Sequence, residues 1–240
     1  MMRFARDAAL IVVDVQNDFA DPGGSLFVAG ANDVLLVANR EIERALVAGA
    51  RVVYTADWHP EHTPHFQTDG GIWPVHCVRG TWGAGFHPDL HVEGPVVRKG
   101  VGGEDGYSGF SVRDPVTGER AATPLESILR DAGVDRVAVL GLATDYCVKE
   151  TVLDAVALGF DPTVIREGIR AVDLVPGDGA RALEQMAEAG ATLTHGGRLD
   201  ASGKDEHGPV RQADHPASEG LPGRVSGRAI VREVSCADDE

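Results

Sequence analysis

Short apolar runs alternate with longer segments of helical character along most of the chain. The runs occupy residues 9–15, 52–55, 95–98, 137–140, 163–166 and 191–194. They are nearly continuous, which is typical of strands that are covered on both faces. Strands that alternate with helices favour parallel pairing through right-handed crossovers. The pattern predicts one three-layer α/β/α domain around a central parallel sheet of about six strands.

Four segments are predicted to be helices, at about residues 32–48, 124–131, 145–158 and 179–189. The first and third carry apolar residues on one face at spacings of three and four. The second follows Thr-Pro-Leu-Glu at residues 123–126, which has the form of a capping box with proline at the first helical position. Residues 58–94 and 100–122 are expected to be loops, and loops of this length are usually functional.

The stretch from Arg136 to Gly159 reads as a strand, a tight turn and a helix, with Gly141 ending the strand. If Thr144 caps the helix, Cys147 lies in its first turn. A thiol at that position is expected to lose its proton more easily than a free thiol, and the free N–H groups there can bind an oxyanion. On this segment alone, a small buried hydrophobic cysteine explains Cys147 equally well.

Four reactive side chains follow predicted strands: Asp14, Asp57, Lys99 and Cys147. Open parallel sheets bind ligands at the carboxyl ends of their strands, where these residues would meet. A carboxylate can take the proton of a thiol, and a lysine favours both anions. Taken singly, Asp14 could be a structural acid and Lys99 a surface lysine. Together, Asp14, Lys99 and Cys147 favour nucleophilic catalysis.

The loop after Asp57 is rich in histidine, with His59, His62, His65 and His76. One carboxylate and several imidazoles suit zinc, iron(II) or manganese better than calcium or magnesium. The spacing therefore predicts an open site for one divalent transition metal. A hydrophilic loop that happens to contain histidines is the alternative.

The amino-acid composition limits which partners and which cellular location we expect for the protein. The formal net charge of -15 and the pI near 4.9 argue against nucleic acid or an anionic membrane. Cys77, Cys147 and Cys236 are far apart and odd in number, which favours a reducing, cytoplasmic location over a disulfide framework. No apolar run reaches the length of a membrane span. The sequence leaves both a monomer and a homo-oligomer open.

The character of the chain changes near residue 199. Residues 1–198 form the predicted domain, whereas residues 199–240 are polar and rich in glycine, proline and charge. Such a composition predicts a mostly disordered tail. The alternative is a tail that docks on the domain or on a partner.

Six blocks of sequence together identify a family. They are VVDVQNDF at 12–19, TADWHPEHTPHF at 55–66, WPVHCVRGT at 73–81, RKG at 98–100, YSGF at 107–110 and GLATDYCVKETVLDA at 141–155. In this order and spacing the chain resembles the nicotinamidases (pyrazinamidases) of the isochorismatase-like cysteine hydrolase superfamily. The resemblance covers residues 9–193.

The resemblance implies roles for individual residues. It implies a catalytic triad of Asp14, Lys99 and Cys147, and a metal held by Asp57, His59 and His76 with His65 as a possible fourth ligand. The metal would bind the pyridine nitrogen of the substrate and orient its ring. His62 has no matching role.

The resemblance also implies how the substrate is held. Phe19 and Trp73 would pack against its ring, and Tyr146 would tune the choice of substrate. A cis peptide is expected before Ala143, and the N–H groups of Ala143 and Cys147 would form the oxyanion hole.

The implied activity is metal-dependent hydrolysis of a small aromatic amide. Nicotinamide would become nicotinate and ammonia through a thioester on Cys147, in NAD salvage, and pyrazinamide would also be a substrate. Two alternatives stay open. One is another hydrolase of the superfamily, a ureido or carbamoyl amidohydrolase or an isochorismatase, whose chemistry does not need the metal ligands. The other is a non-catalytic protein that binds a pyridine or a metal.

Overall fold

The central sheet organises the part of the chain that a computed structural model describes, residues 3–194. In chain order the strands are β1 (Ala8–Val13), β2 (Arg51–Asp57), β3 (Val96–Lys99), β4 (Ser111–Arg113), β5 (Arg120–Ala122), β6 (Arg136–Leu142), β7 (Asp161–Arg170) and β8 (Thr192–Leu193). The helices are α1 (Asn17–Ala20), α2 (Ala31–Val47), α3 (Leu125–Asp131), α4 (Lys149–Ala157) and α5 (Asp178–Ala189).

Six of these strands form one parallel sheet in the order β3-β2-β1-β6-β7-β8. The strand β1 lies near its middle, where Ile11 pairs with Val53 of β2 and with Val139 of β6. Every residue of β1 is buried, as expected for a strand covered on both faces. The prediction of a three-layer α/β/α domain with a six-stranded parallel sheet is confirmed.

Helices cover the sheet through their apolar faces. The helix α2 packs across β1, β2, β6 and β7. The helices α4 and α5 pack against each other, with α4 on β7 and α5 on β8. These layers close the core and leave the carboxyl ends of the strands free to carry a site.

The strand β6 does not stop at Gly141, as the sequence predicted, but continues to Leu142. Gly141 has φ +125°, and a Cβ at this position would lie 2.0 Å from the carbonyl oxygen of Val13. Only glycine allows the strand to continue beside β1 here. Gly141 therefore extends the sheet toward Cys147.

The capping box predicted at residues 123–126 does not form. The N–H of Thr123 donates to the carbonyl oxygen of Phe110 at 2.9 Å and so is not available to Glu126. Pro124 occupies the position before α3, and the hydroxyl of Thr123 accepts the N–H of Leu125 at 3.2 Å. The helix still begins where the sequence predicts, within one residue.

The loop predicted over residues 100–122 contains an antiparallel hairpin, β4 and β5. Its strands have only three residues each, which is too short for a clear alternation of polar and apolar positions.

The tail predicted at residues 199–240, with Cys236, lies outside the described residues. Within residues 3–194, no helix is both long enough and apolar enough to cross a membrane.

Candidate active site

The carboxyl edge of the sheet brings the four reactive side chains together. Asp14 directly follows β1, Asp57 ends β2, Lys99 ends β3, and Cys147 lies in the turn after β6. The register aligns these ends, since Asp57 pairs with Lys99 across β2 and β3. Residues far apart in the sequence therefore meet at one place.

Lys99 is the centre of this cluster. Its Nζ lies 2.7 Å from Oδ2 of Asp14 and 3.6 Å from Sγ of Cys147, and it forms a short ion pair with Oδ1 of Asp57. The side chain is fully buried. Burial alone would lower the pKa of Lys99, but the two carboxylates outweigh it and raise that pKa well above its usual value. Lys99 is therefore a fixed positive charge.

Asp14 is held in a strained backbone conformation with φ +48°. Its Oδ1 accepts a hydrogen bond of 2.7 Å from the hydroxyl of Thr55, and Oδ2 faces Lys99. Burial raises the pKa of Asp14 to about 6, against the opposing effect of Lys99 and the Thr55 hydrogen bond. A carboxyl with this pKa can accept and return a proton near neutral pH.

Cys147 lies in a π-helical turn, Thr144–Val148, that leads into α4. Its sulfur lies within 4.8 Å of a carboxylate oxygen of Asp14 and of Asp57. The sequence-based expectation of a lowered thiol pKa is wrong. Burial, together with these two carboxylates, raises the pKa of Cys147 well above its usual value and outweighs Lys99. The thiol therefore keeps its proton at rest and needs a base beside it.

Asp57 faces two groups at once. Its Oδ1 contacts Lys99, and its Oδ2 lies 3.9 Å from Nε2 of His59 and 3.9 Å from Nε2 of His76. Burial would raise the pKa of Asp57, but Lys99 and His59 lower it strongly. The backbone of Asp57 is clamped by the fully buried Gln16, which accepts its N–H and donates to its carbonyl oxygen, both at 2.8 Å. Asp57 therefore links the lysine cluster to the histidines.

Three histidines of the long loop form a buried cluster beside Asp57. Ligand nitrogens of His59, His65 and His76 all lie within 4.8 Å of one another. The rings of His59 and His65 stack with centroids 4.8 Å apart, and His76 lies 5.2 Å from His59 and 5.4 Å from His65. His62 is not part of the cluster, because its side chain is 78% exposed and contacts Asp69.

The histidine cluster fits a transition metal. Both ring nitrogens of His59 are buried and have no hydrogen-bond partner among residues 3–194. An unpaired buried imidazole is costly unless a ligand occupies it. Nδ1 of His76 donates to the carbonyl oxygen of Pro74 at 2.7 Å, which leaves Nε2 with its lone pair toward Asp57. Nitrogen donors with one carboxylate are typical of zinc, iron or manganese sites.

An aromatic cavity borders Cys147 and two of the histidines, His65 and His76. Its walls include the predicted substrate contacts Phe19, Trp73 and Tyr146, as well as Ala143 and Cys147. The Phe19 ring lies 5.4 Å from the His76 ring, and the Trp73 and Tyr146 rings meet edge to face at 4.8 Å. The cavity therefore offers apolar walls to a flat ring, with Cys147 among its lining residues.

The turn after β6 presents Ala143 to this cavity. The peptide between Leu142 and Ala143 is cis, as the resemblance implied. The carbonyl oxygen of Ala143 accepts the N–H groups of Tyr146 at 3.1 Å and Val148 at 3.0 Å. These bonds tie the turn to the start of α4 and keep Ala143 and Cys147 on the same wall of the cavity.

Four residues that the sequence did not single out complete the site. Their side chains support the predicted ones or line the cavity, and they are Gln16, Thr55, Asp105 and Tyr107. The hydroxyl of Tyr107 accepts the indole N–H of Trp73 at 2.8 Å. Gln16, Thr55 and Tyr107 lie inside blocks that carry the resemblance, whereas Asp105 lies outside all of them.

Comparison with known proteins agrees with this architecture. The isochorismatase domain family matches residues 8–196. The nicotinamidase of Escherichia coli is 41% identical over 203 residues, which cover 77% of this chain and 93% of that protein. The pyrazinamidase of Pyrococcus horikoshii, solved in complex with zinc, has a TM-score of 0.70 and 39% identity, covering 78% of this chain and 98% of that one. PnC1 from L. infantum, solved in complex with nicotinate, has a TM-score of 0.72 and 35% identity, covering 80% and 95%.

Proposed function

The chain belongs to the isochorismatase family, and we propose that it is a nicotinamidase, a cysteine amidohydrolase that converts nicotinamide to nicotinate and ammonia. Pyrazinamide, a similar aromatic amide, is a further substrate in this proposal. The observation that carries the proposal is the position of Lys99. One buried ammonium contacts Asp14, Asp57 and Cys147, and the last two of these residues line an aromatic cavity.

The first step is attack by Cys147 on the carboxamide carbon. Because the thiol pKa is raised, the proton leaves only as the bond to carbon forms, and Asp14 takes it. With its pKa raised to about 6, Asp14 is mostly ionised at pH 7 and can act as the base. The negative charge thereby moves from Asp14 to the carbonyl oxygen of the substrate, while Lys99 stays positive beside Asp14 and the sulfur.

The tetrahedral intermediate places a negative charge on the former carbonyl oxygen. The N–H groups of Ala143 and Cys147 are proposed to bind this oxyanion, an effect worth about 3 kcal/mol per donor. Protonated Asp14 then gives its proton to the leaving nitrogen, and ammonia departs. A thioester between Cys147 and the pyridine carboxyl group remains.

Hydrolysis of the thioester reverses these roles. Asp14, ionised again, removes a proton from water, and the resulting hydroxide attacks the thioester carbon. The second intermediate collapses to nicotinic acid, and Asp14 returns the proton to the sulfur of Cys147. The acid then gives its own proton to the released ammonia or to water and leaves as nicotinate. Thiol and carboxylate are both restored for the next turnover.

We assign the metal to the histidine cluster. The residues that would hold it are Asp57, His59 and His76, with His65 as a fourth ligand, and zinc is the first candidate. When bound, such an ion supplies a Lewis-acid site for the ring nitrogen of the substrate. Phe19 and Trp73 hold the ring between apolar surfaces, and Tyr146 limits its width at the cavity wall.

The histidine cluster also separates this proposal from the nearest alternatives. A ureido or carbamoyl amidohydrolase, or an isochorismatase, has no need of three buried imidazoles beside the nucleophile. Both ring nitrogens of His59 are buried without a hydrogen-bond partner within residues 3–194, which is costly unless a ligand occupies them. A reducing cytoplasm suits the proposal, because Cys147 acts as a free thiol. Cys77 is a free thiol as well.

Ammonia release tests the proposed function. The full chain is assayed with nicotinamide, pyrazinamide and a carbamoyl amide of similar size, before and after treatment with a metal chelator. The proposal expects release from both aromatic amides, loss of it after chelation, and recovery on adding zinc. Release from the carbamoyl amide alone, or release that survives complete removal of metal, would contradict it.

A further inference from the structure

Asp105 contacts one histidine of the cluster and none of the reacting groups. Its Oδ1 lies 2.7 Å from Nδ1 of His65, and the His65 side chain is 4% exposed. A carboxylate only accepts hydrogen bonds, so Nδ1 of His65 is the donor, and in the neutral ring Nε2 keeps its lone pair. Asp105 thereby selects the tautomer in which His65 can bind a metal through Nε2.

The position of Asp105 is fixed independently of His65. Its N–H donates to the carbonyl oxygen of Arg113 at 2.7 Å, and its own carbonyl oxygen accepts the N–H of Arg113 at 2.9 Å. This pair of bonds attaches Asp105 to β4, in the hairpin that follows. Asp105 is therefore anchored from outside the histidine loop.

Thr63 joins the two loops a second time. Its hydroxyl donates to the carbonyl oxygen of Gly103 at 2.7 Å and accepts the N–H of His65 at 3.2 Å. The backbone of His65 is thus tied to the loop that carries Asp105. Both the ring and the backbone of His65 are therefore connected by hydrogen bonds to the loop that carries Asp105, which restricts rotation of the ring.

The three histidines differ in their outer partners. Among residues 3–194, His65 has a carboxylate partner, His76 has the carbonyl oxygen of Pro74, and His59 has no partner. A carboxylate on the outer nitrogen orients the ring and makes its inner nitrogen a stronger ligand. His65 is therefore the histidine of the cluster whose ring a carboxylate orients.

We propose that Asp105 is a positioning residue that holds His65 in the metal-binding tautomer and orientation. The inference rests on the metal site of the proposed function, but its test needs no substrate and no turnover. Failure of nicotinamide hydrolysis would leave the zinc measurement unaffected, so the two proposals can fail separately.

The test is zinc affinity, measured by competition with a chromophoric chelator on the full chain after removal of metal. Asp105→Ala is expected to raise the zinc Kd about 10–100-fold, and Asp105→Asn less, because the amide oxygen can still accept from Nδ1. The double variant Asp105→Ala with His65→Ala should bind zinc no more weakly than His65→Ala alone, since Asp105 acts through His65.

A matched control uses another carboxylate–histidine pair of the same loop. Asp89 lies 3.9 Å from Nδ1 of His87, which is not part of the histidine cluster, and Asp89→Ala should leave the zinc Kd unchanged. An unchanged Kd for Asp105→Ala would overturn the proposal. Losses that multiply in the double variant would also overturn it, because they would mean that Asp105 affects zinc without His65.

Discussion

Nζ of Lys99 lies 2.7 Å from Oδ2 of Asp14, and neither side chain has any exposure to solvent. Moving these charges out of water costs several kcal/mol for each ion. The cost is offset because Lys99 contacts two carboxylates, so each member of the cluster depends on the others. Removing the lysine would leave Asp14 and Asp57 as like charges in a buried site.

Replacing this lysine should therefore affect both stability and turnover. We expect Lys99→Met to lower the free energy of unfolding by about 3–5 kcal/mol at neutral pH, measured with a denaturant. Ammonia release should fall about 10²–10⁴-fold, because the pKa of Asp14 rises and its ionised form is lost. The stability difference from the wild type should shrink at lower pH, where the buried carboxyls take up protons.

Lys149→Met is the matched control. Lys149 pairs with Glu150 at 3.3 Å, and both side chains are partly exposed. A pair of this kind contributes at most about 1 kcal/mol. If the two lysine variants lost similar stability and activity, the buried position of Lys99 would not be the cause.

The pH dependence of turnover should follow Asp14. Because its pKa is about 6 and its ionised form is the base, kcat/KM should rise with pH and level off above that value. The Thr55 hydroxyl stabilises the ionised form, so Thr55→Val should raise the pKa and move the acidic limb upward by about one pH unit.

The control for this shift is Thr163→Val, in β7, three strands away from β2. It makes the same chemical change in the same sheet without touching Asp14, so the acidic limb should stay in place. A limb that did not move in Thr55→Val would show that another group limits the reaction at low pH.

The role of Cys147 as the nucleophile can be tested separately from substrate binding. Cys147→Ala should still bind nicotinamide, measured by calorimetry, since the cavity walls and histidines are unchanged. It should release no ammonia, because no thioester forms. Cys77→Ala removes the other buried thiol of the described residues and should retain activity. Substantial turnover by Cys147→Ala would rule out the covalent route.

Much of this architecture could be predicted because the strands are local features. Their apolar runs mark the strands, and the residues at their ends, such as Asp14 and Lys99, meet once the pairing is parallel. The short hairpin β4–β5 gave no such signal, and neither did Asp105, whose role depends on a contact 40 residues away in sequence.

The shift in the pKa of Cys147 was predicted in the wrong direction for a similar reason. The position of Cys147 beside a helix start is visible in the sequence, and alone it favours the thiolate. The depth of burial and the distances to Asp14 and Asp57 exist only in the folded chain, and they reverse the direction. The extension of β6 through Gly141 likewise depends on a neighbouring strand.

Gly100 allows a final, sharper test of the metal site, because it follows Lys99 in the chain and lies against the ring of His59. It follows Lys99 with φ +71°, and a Cβ there would lie 2.5 Å from Cε1 of His59. Gly133 has a similar φ of +67° but open space around it. Both alanine variants should lose about 1–2 kcal/mol of stability from the backbone alone.

Only Gly100→Ala should also weaken zinc binding, because only there must the His59 ring move. We expect its zinc Kd to rise at least about tenfold, measured by competition with a chelator, while that of Gly133→Ala stays at the wild-type value. The comparison cancels the strain that the two substitutions share and leaves the His59 contact as the difference. Equal zinc affinity in the two variants would mean that His59 is not a ligand, even though its nitrogens are buried and unpaired.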